Sequence, residues 1–451
     1  MTLLAGQTFR ITETLFIKLL AIVYLMAFAS LWPQIVGLVG ANGVSPAAET
    51  LTAMRADYGW HAYLDVPSLF WFAKTDGALK ALCGLGCCAA LLLLFGVFVR
   101  ISALAAYLLY LSLVSIGQPF TSFQWDALLL EAGFLAVFAG APLLPLAYRF
   151  LLFRLMFESG LVKLTSHDVN WRNLHALRYH FYTQPLPTPL AYYMQHAPNW
   201  FLDSLTLTTL LIELLVPFFL FVPSRRVRRI AVGILILLQM VIALTGNYAF
   251  FNLLAMALCL WGLDDESFAR FKNWRVSGTS ANWLVVGLIG LGVLQIAGLQ
   301  PSFLDSWQVV NPYGLFAVMT TSRVELVLEG SNDGEHWKFY SFRYKPGDVA
   351  RGLPLVAPFQ PRLDWQLWFA ALGRPQSNTW VQTLVYRLLL GQPEVLGLLE
   401  PPPFQTPPRA IRVQAYSYTF TAQQQRNRDK SVWQRTLLGT WLGPVSLAPS
   451  K

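Results

Sequence analysis

Six ionisable residues stand inside or at the ends of apolar runs: Asp126, Glu131, Arg154, Glu158, Lys163 and Glu213. A charge at mid-membrane costs about 2.5 to 3.5 kcal/mol on insertion scales, so such a residue faces protein, a partner charge or water. Two chemistries are open to them. They can pair across helices or snorkel to the interface. Alternatively they can line a cavity in which Lys163 acts as a base, with Glu158, Arg154 and His167 as neighbours. Glu158 and Lys163 are five residues apart, about 500° of helix rotation, so they are not stacked neighbours. Farther on, Trp365, Trp368 and Phe369 fall on one helical stripe with Leu372. That stripe serves either packing or contact with another protein, since exposed aromatic patches mark interaction sites. His167, His175, His180 and His196 crowd one segment, but the i, i+5 spacing of His175 and His180 does not put two ligands on one face. No metal site is expected and no cofactor. No nucleophile elbow, phosphate-binding glycine loop or HExxH motif is present.

The elements that carry these residues are membrane helices. Of 451 residues, 55% are hydrophobic and 13% are charged, where a soluble domain carries about 25% charged residues. Mean hydropathy is +0.47. Long apolar runs end near Gln300, which divides the chain into a polytopic helical membrane domain, 1–300, and an extramembrane domain, 301–451. A bilayer span needs about 20 apolar residues, and about nine spans are expected on that scale, with outer loops at 33–77 and 166–202. The first is read as a retained helix rather than a signal peptide. The net charge of +9 is scattered in short loops, which fits the positive-inside rule and not a nucleic-acid partner. Arg225, Arg226, Arg228 and Arg229 mark the cytoplasmic side, with Arg10, Arg100, Arg149 and the group Arg270, Lys272 and Arg275 beside them. The N-terminus is then cytoplasmic and the C-terminal domain luminal or periplasmic. The four cysteines, Cys83, Cys87, Cys88 and Cys259, lie in apolar runs and are read as small hydrophobes.

The C-terminal part reads as α+β. Val324–Glu329 and Trp337–Tyr344 form strands around a turn at Gly330–Gly334. Ile411–Phe420 alternates as a half-buried strand, and 362–372 and 379–390 read as helices. The expected fold is a β-sandwich with a helical insertion.

Long stretches resemble the lipase maturation factor family: SLWPQIVGLVGANGVSPA at 30–47, LLFRLMFESGLVKLTSHDVNWRNLHALRYHFYTQPLPTPLAYYMQHAP at 151–198, VVNPYGLFAVMTTSRVELVLEGSNDGEHWKFYSFRYKPGD at 309–348 and PRLDWQLWFAAL at 361–372. The resemblance implies a multi-pass, chaperone-like protein of the endoplasmic reticulum membrane, or of the inner membrane in a bacterium. It would assist the folding, assembly or maturation of secreted or exported client proteins such as lipases, and it would more readily be a non-catalytic factor than an enzyme. Trp365, Trp368 and Phe369 are then client-binding candidates. A shorter stretch, FESGLVKLTSHDVNW at 157–171, resembles vitamin K-dependent carboxylases and their membrane relatives. That resemblance implies the alternative, an enzyme acting on a quinone-like or lipid substrate with Lys163 as base.

Overall fold

The computed structural model describes residues 7–271 and 282–447. Its first part is helical: α1 (Arg10–Leu31), α2 (Asp76–Leu94), α3 (Val99–Ile116), α4 (Gln124–Ala136), α5 (Leu144–Thr165), α6 (Asn199–Leu215), α7 (Arg225–Thr245), α8 (Phe251–Cys259) and α9 (Asn282–Ile296), joined by shorter turns. Thr75 caps α2 by accepting the Ala78 N–H at 3.2 Å. Pro145 starts α5, where its missing N–H costs nothing. Of the described helices, five are long and apolar enough to cross a bilayer: α1, α2, α3, α6 with its extension to Phe221, and α7. The expected count of about nine is met only in this coarser form. Helix α5 has 22 residues but carries Arg149, Arg154, Glu158 and Lys163, all buried. Helix α4 has 13 residues and α9 has 15. Lys272 and Arg275 of the expected cytoplasmic group lie outside the described residues.

The basic cluster that opens α7 is not a bare charge patch. Arg225 pairs with Asp264 at 2.7 Å, and Arg228 reaches back to the carbonyls of Val222 and Pro223 at 3.1 and 2.8 Å.

In the C-terminal part, β1 (Arg323–Ser331), β2 (Lys338–Tyr340), β3 (Ala410–Phe420) and β4 (Trp433–Ser446) form one antiparallel sheet in the order β2-β1-β3-β4. The hairpin register sets Leu328 opposite Tyr340. Its turn is held by Asp333, which accepts the N–H groups of Glu335 and His336 at 2.9 and 2.8 Å. The second expected strand, Trp337–Tyr344, shrinks to three residues. The sandwich expectation is corrected: among the described residues there is a single sheet. Helices α10 (Arg362–Ala371) and α11 (Thr379–Leu389) pack against it in place of a second one.

The core does not stop at the membrane helices. One continuous cluster runs from Phe16 and Tyr24 of α1 through Trp125 of α4 to Leu326 and Leu328 of β1 and Trp365 of α10. Arg323 at the start of β1 donates to the carbonyls of Tyr182 and Pro185 at 3.0 and 2.8 Å. The sheet is thus tied to the 166–202 segment.

Candidate functional site

Three buried polar groupings stand in the structure, two of which tie the C-terminal part to the helices, and they separate residues that the sequence had placed together. The first begins on α5. Arg154 pairs with Glu131 of α4 at 2.6 Å and with Glu158 one turn on at 3.3 Å. Each carboxylate spends its other oxygen on the chain that leads into the sheet. Glu131 Oε2 accepts the Asn311 N–H at 2.8 Å and the Tyr313 hydroxyl at 2.9 Å, and Glu158 Oε2 accepts the Tyr313 N–H at 2.8 Å. Arg154 also donates to the Asn311 carbonyl. Arg154 and Glu158 therefore anchor Asn311–Tyr313 rather than flank Lys163.

The second grouping joins α4 to α10. Arg362 grips Asp126 through both carboxylate oxygens, at 2.9 and 2.8 Å, and donates to the Phe120 carbonyl at 2.8 Å. Tyr110 of α3 hydrogen-bonds Asp126 as well. Both members of the ion pair are 1% exposed or less. Beside it, Trp365 packs edge-on against Trp125 with ring centroids 4.8 Å apart, and the Trp368 indole N–H donates to the Thr183 carbonyl at 2.8 Å. Trp365 and Trp368 are 3% and 7% exposed, so neither offers a surface to another protein in this structure, whereas Phe369 is 41% exposed. The stripe is mostly packing because α10 lies between sheet and bundle. Asp364, buried on the same helix, accepts the N–H groups of Tyr344 and Lys345 at 2.8 and 2.9 Å, and burial raises its carboxyl above the ordinary range.

The third grouping holds Lys163. Its amine meets both oxygens of Glu213 on α6, at 2.9 and 2.8 Å, and the Ser159 carbonyl at 3.1 Å. An ammonium has three donors, and all three are used here. Held in this way, the amine braces α5 against α6. Gly160 permits this contact: a Cβ there would stand 3.0 Å from the Glu213 Cβ. The Trp171 ring lies 5.3 Å from the amine. Around the pair is a cavity of about 270 Å³ bounded by α5, α6, α7 and the 166–202 segment. His180 lines it, and burial with the nearby Lys163 charge pushes its imidazole down to about 4. His167 is not part of the cavity; it sits exposed at the end of α5, 2.5 Å from Arg172. His196 hydrogen-bonds the carbonyls of Tyr192 and Thr421 at 2.7 and 3.0 Å.

Residues 11–270 match the lipase maturation factor transmembrane domain, and residues 309–443 match the lipase maturation factor C-terminal domain. Lipase maturation factor 2 of Gallus gallus is 34% identical, over 95% of this chain and 80% of its own length. The chain belongs to the lipase maturation factor family. Lipase maturation factor 2 of Homo sapiens is 33% identical, over 97% of this chain and 83% of its own length. Lipase maturation factor 1 of Homo sapiens is 32% identical, over 98% and 88%. No solved structure matches the chain. The family resemblance read from the sequence is thereby established. The first two groupings show how a family member couples its two matched regions, since Asp126, Glu131 and Glu158 stand in the first and Arg362, Asn311 and Tyr313 in the second.

Sequence reasoning noted Asp126, Glu131 and Glu213 as intramembrane charges but found no partners for them. Arg362 lies 236 positions from Asp126. No local spacing rule reaches that far.

Proposed function

We propose that this chain is a membrane-held maturation factor that assists the folding or assembly of exported proteins, with lipases as the class its relatives' names indicate. The observation that carries the reading is the outer edge of the sheet. Strand β4 runs for 14 residues, pairs only with β3 among the described residues, and exposes Leu437 and Leu438 at 54% and 58%. A long exposed edge is a template for an incoming strand. In β4, Pro444 and three register shifts against β3 confine the regular edge to Trp433–Leu437, which brings Leu437 and its neighbour Leu438 to its end. Here it sits on a module braced against membrane helices, so a chain emerging at the membrane meets it in a fixed orientation. Phe369 extends the client-binding surface.

On this proposal residues 1–300 form the membrane anchor and 301–451 the working module. On the same proposal α5, with its charges turned to protein, and α4, α8 and α9, each continued by the turns beside it, make up the remainder of about nine spans. The N-terminus is cytoplasmic and the module faces the lumen of the endoplasmic reticulum, or the periplasm in a bacterium. The factor acts without a cofactor and without catalysis.

The test is secretion of active lipase in cells that depend on this chain. Leu437→Asp with Leu438→Asp is expected to abolish secreted activity while the factor accumulates normally. Unchanged secretion with both aspartates in place would remove the edge from the account.

A further inference from the structure

The cavity around Lys163 and Glu213 is not used by the client-assistance reading. It is a built site with a defined shape, polarity and entrance. Along α7 its lining runs from Ile234 to Thr245, roughly 16 Å at 1.5 Å per residue. That is about half of a hydrocarbon core about 30 Å thick, the depth of one leaflet. Its volume of about 270 Å³ is at the small end of ligand pockets, which span about 300–1,000 Å³. It has room for one chain and not for a protein segment with side chains. Leu237 and Val241 line it and are 61% and 42% exposed, so the entrance opens sideways between α6 and α7 onto the apolar flank of the bundle.

The polar atoms inside define the head group. The Lys163 ammonium is consumed by Glu213 and the Ser159 carbonyl, so no cation is left for a phosphate or carboxylate. The hydroxyls of Ser159, Thr209 and Thr245 donate to carbonyls of their own helices, at 2.7, 2.9 and 2.9 Å. What remains on those oxygens is lone pairs, as acceptors. His180 stays neutral at physiological pH and adds no charge. The Gln239 amide also lines the cavity, and its N–H group meets the Met156 sulfur at 3.8 Å, so a donor stands beside the acceptors. The pocket asks for a ligand with hydroxyls, which both donate and accept, with no net charge and with a single apolar chain.

We propose that this cavity binds a single-chain lipid with an uncharged, hydroxyl-bearing head, of the monoacylglycerol class, entering from the bilayer between α6 and α7. The head lies under the 166–202 segment beside the Lys163–Glu213 pair, and the chain runs along α7. The proposal does not depend on the client reading.

The full chain in nanodiscs is labelled with a monoacylglycerol that carries a diazirine in its acyl chain, and the modified peptides are mapped. Label is expected within 205–213 and 234–245. Thr209→Trp and Leu238→Trp each fill the cavity and are expected to cut that labelling about tenfold, the equivalent of roughly 1.4 kcal/mol of binding. Ile230→Trp, on the exposed flank of α7, leaves it unchanged. Melting temperature is followed for each variant, so that only variants that melt like the parent are scored. Unlabelled monoacylglycerol is expected to compete, and an anionic lysophospholipid of the same chain length is not. Label spread evenly over the bundle, equal competition by the anionic lipid, or a peptide found in the cavity by native mass spectrometry would each overturn the proposal.

Discussion

Replacing Asp126 by Asn leaves the Arg362 guanidinium buried without a counter-charge. The pair is bidentate, with distances of 2.9 and 2.8 Å, and Asp126 is fully buried while Arg362 is 1% exposed. Removing one member of a buried pair costs about 3–5 kcal/mol, because the survivor keeps its desolvation penalty. For a chain of 451 residues, whose unfolding entropy is about 2.1 cal/mol/K per residue, this lowers the melting temperature by about 3–5 °C. The double variant Asp126→Leu with Arg362→Met removes both charges and both penalties, so it is expected to lose less than either single change. Thermal unfolding in detergent, followed by intrinsic tryptophan fluorescence, reads all three. Trp125 and Trp365, whose rings pack 4.8 Å apart on the two helices that carry the pair, contribute to that signal. Removing the exposed Arg428–Asp429 contact serves as a control that should leave melting unchanged. A drop under about 1 kcal/mol for Asp126→Asn, with single effects that simply add in the double variant, would show that the pair does not join module to bundle.

The other groupings give their own expectations. Glu131→Gln removes the charge from a site that holds Arg154, Asn311 and Tyr313 together. It should cost about 3 kcal/mol and expose the chain around 300–312 to limited proteolysis. Tyr313→Phe loses one hydrogen bond to a carboxylate and should cost about 1.5 to 3 kcal/mol. His180 is neutral in the fold, with its imidazole pushed down to about 4 from 6.5. Below pH 6.5 the unfolded chain takes a proton that the folded chain refuses, so stability is full above about 6.5 and falls as pH drops towards 4, by up to about 3 kcal/mol. His180→Gln should flatten the pH profile of melting across that window. Gly160→Leu places atoms against Glu213 and Leu214 and should break the Lys163–Glu213 contact, seen as a loss of several degrees in melting temperature.

Local patterns carried much of the architecture. The helix stripe at 362–372 and the alternation at 411–420 appear as α10 and β3 because both elements bury one face against a neighbour, and periodicity reports that burial. The strand β4 left a weaker signal. Its residues are largely exposed, with Leu437 and Leu438 adjacent rather than alternating. The expected second sheet fails for a related reason: α10 and α11 supply the cover, and a helix with an apolar face meets the same need as a strand layer. At the site, residue types were legible and partners were not. Lys163 and Glu158 are close in sequence, yet one turns to Glu213 on α6 and the other to Arg154 and Tyr313. The aromatic residues at 365 and 368 admit packing or contact with another protein on the sequence alone, and the fold places the bundle against them.

The most direct test of the account is a photo-crosslinking amino acid placed at Leu438 on the open edge, in cells that secrete a lipase, compared with the same group at Trp365 inside the joint. The account predicts a crosslink from Leu438 to the newly made lipase and none from Trp365. Capture from neither position, with lipase still secreted in active form, would contradict the claim that the edge of the braced sheet receives the client.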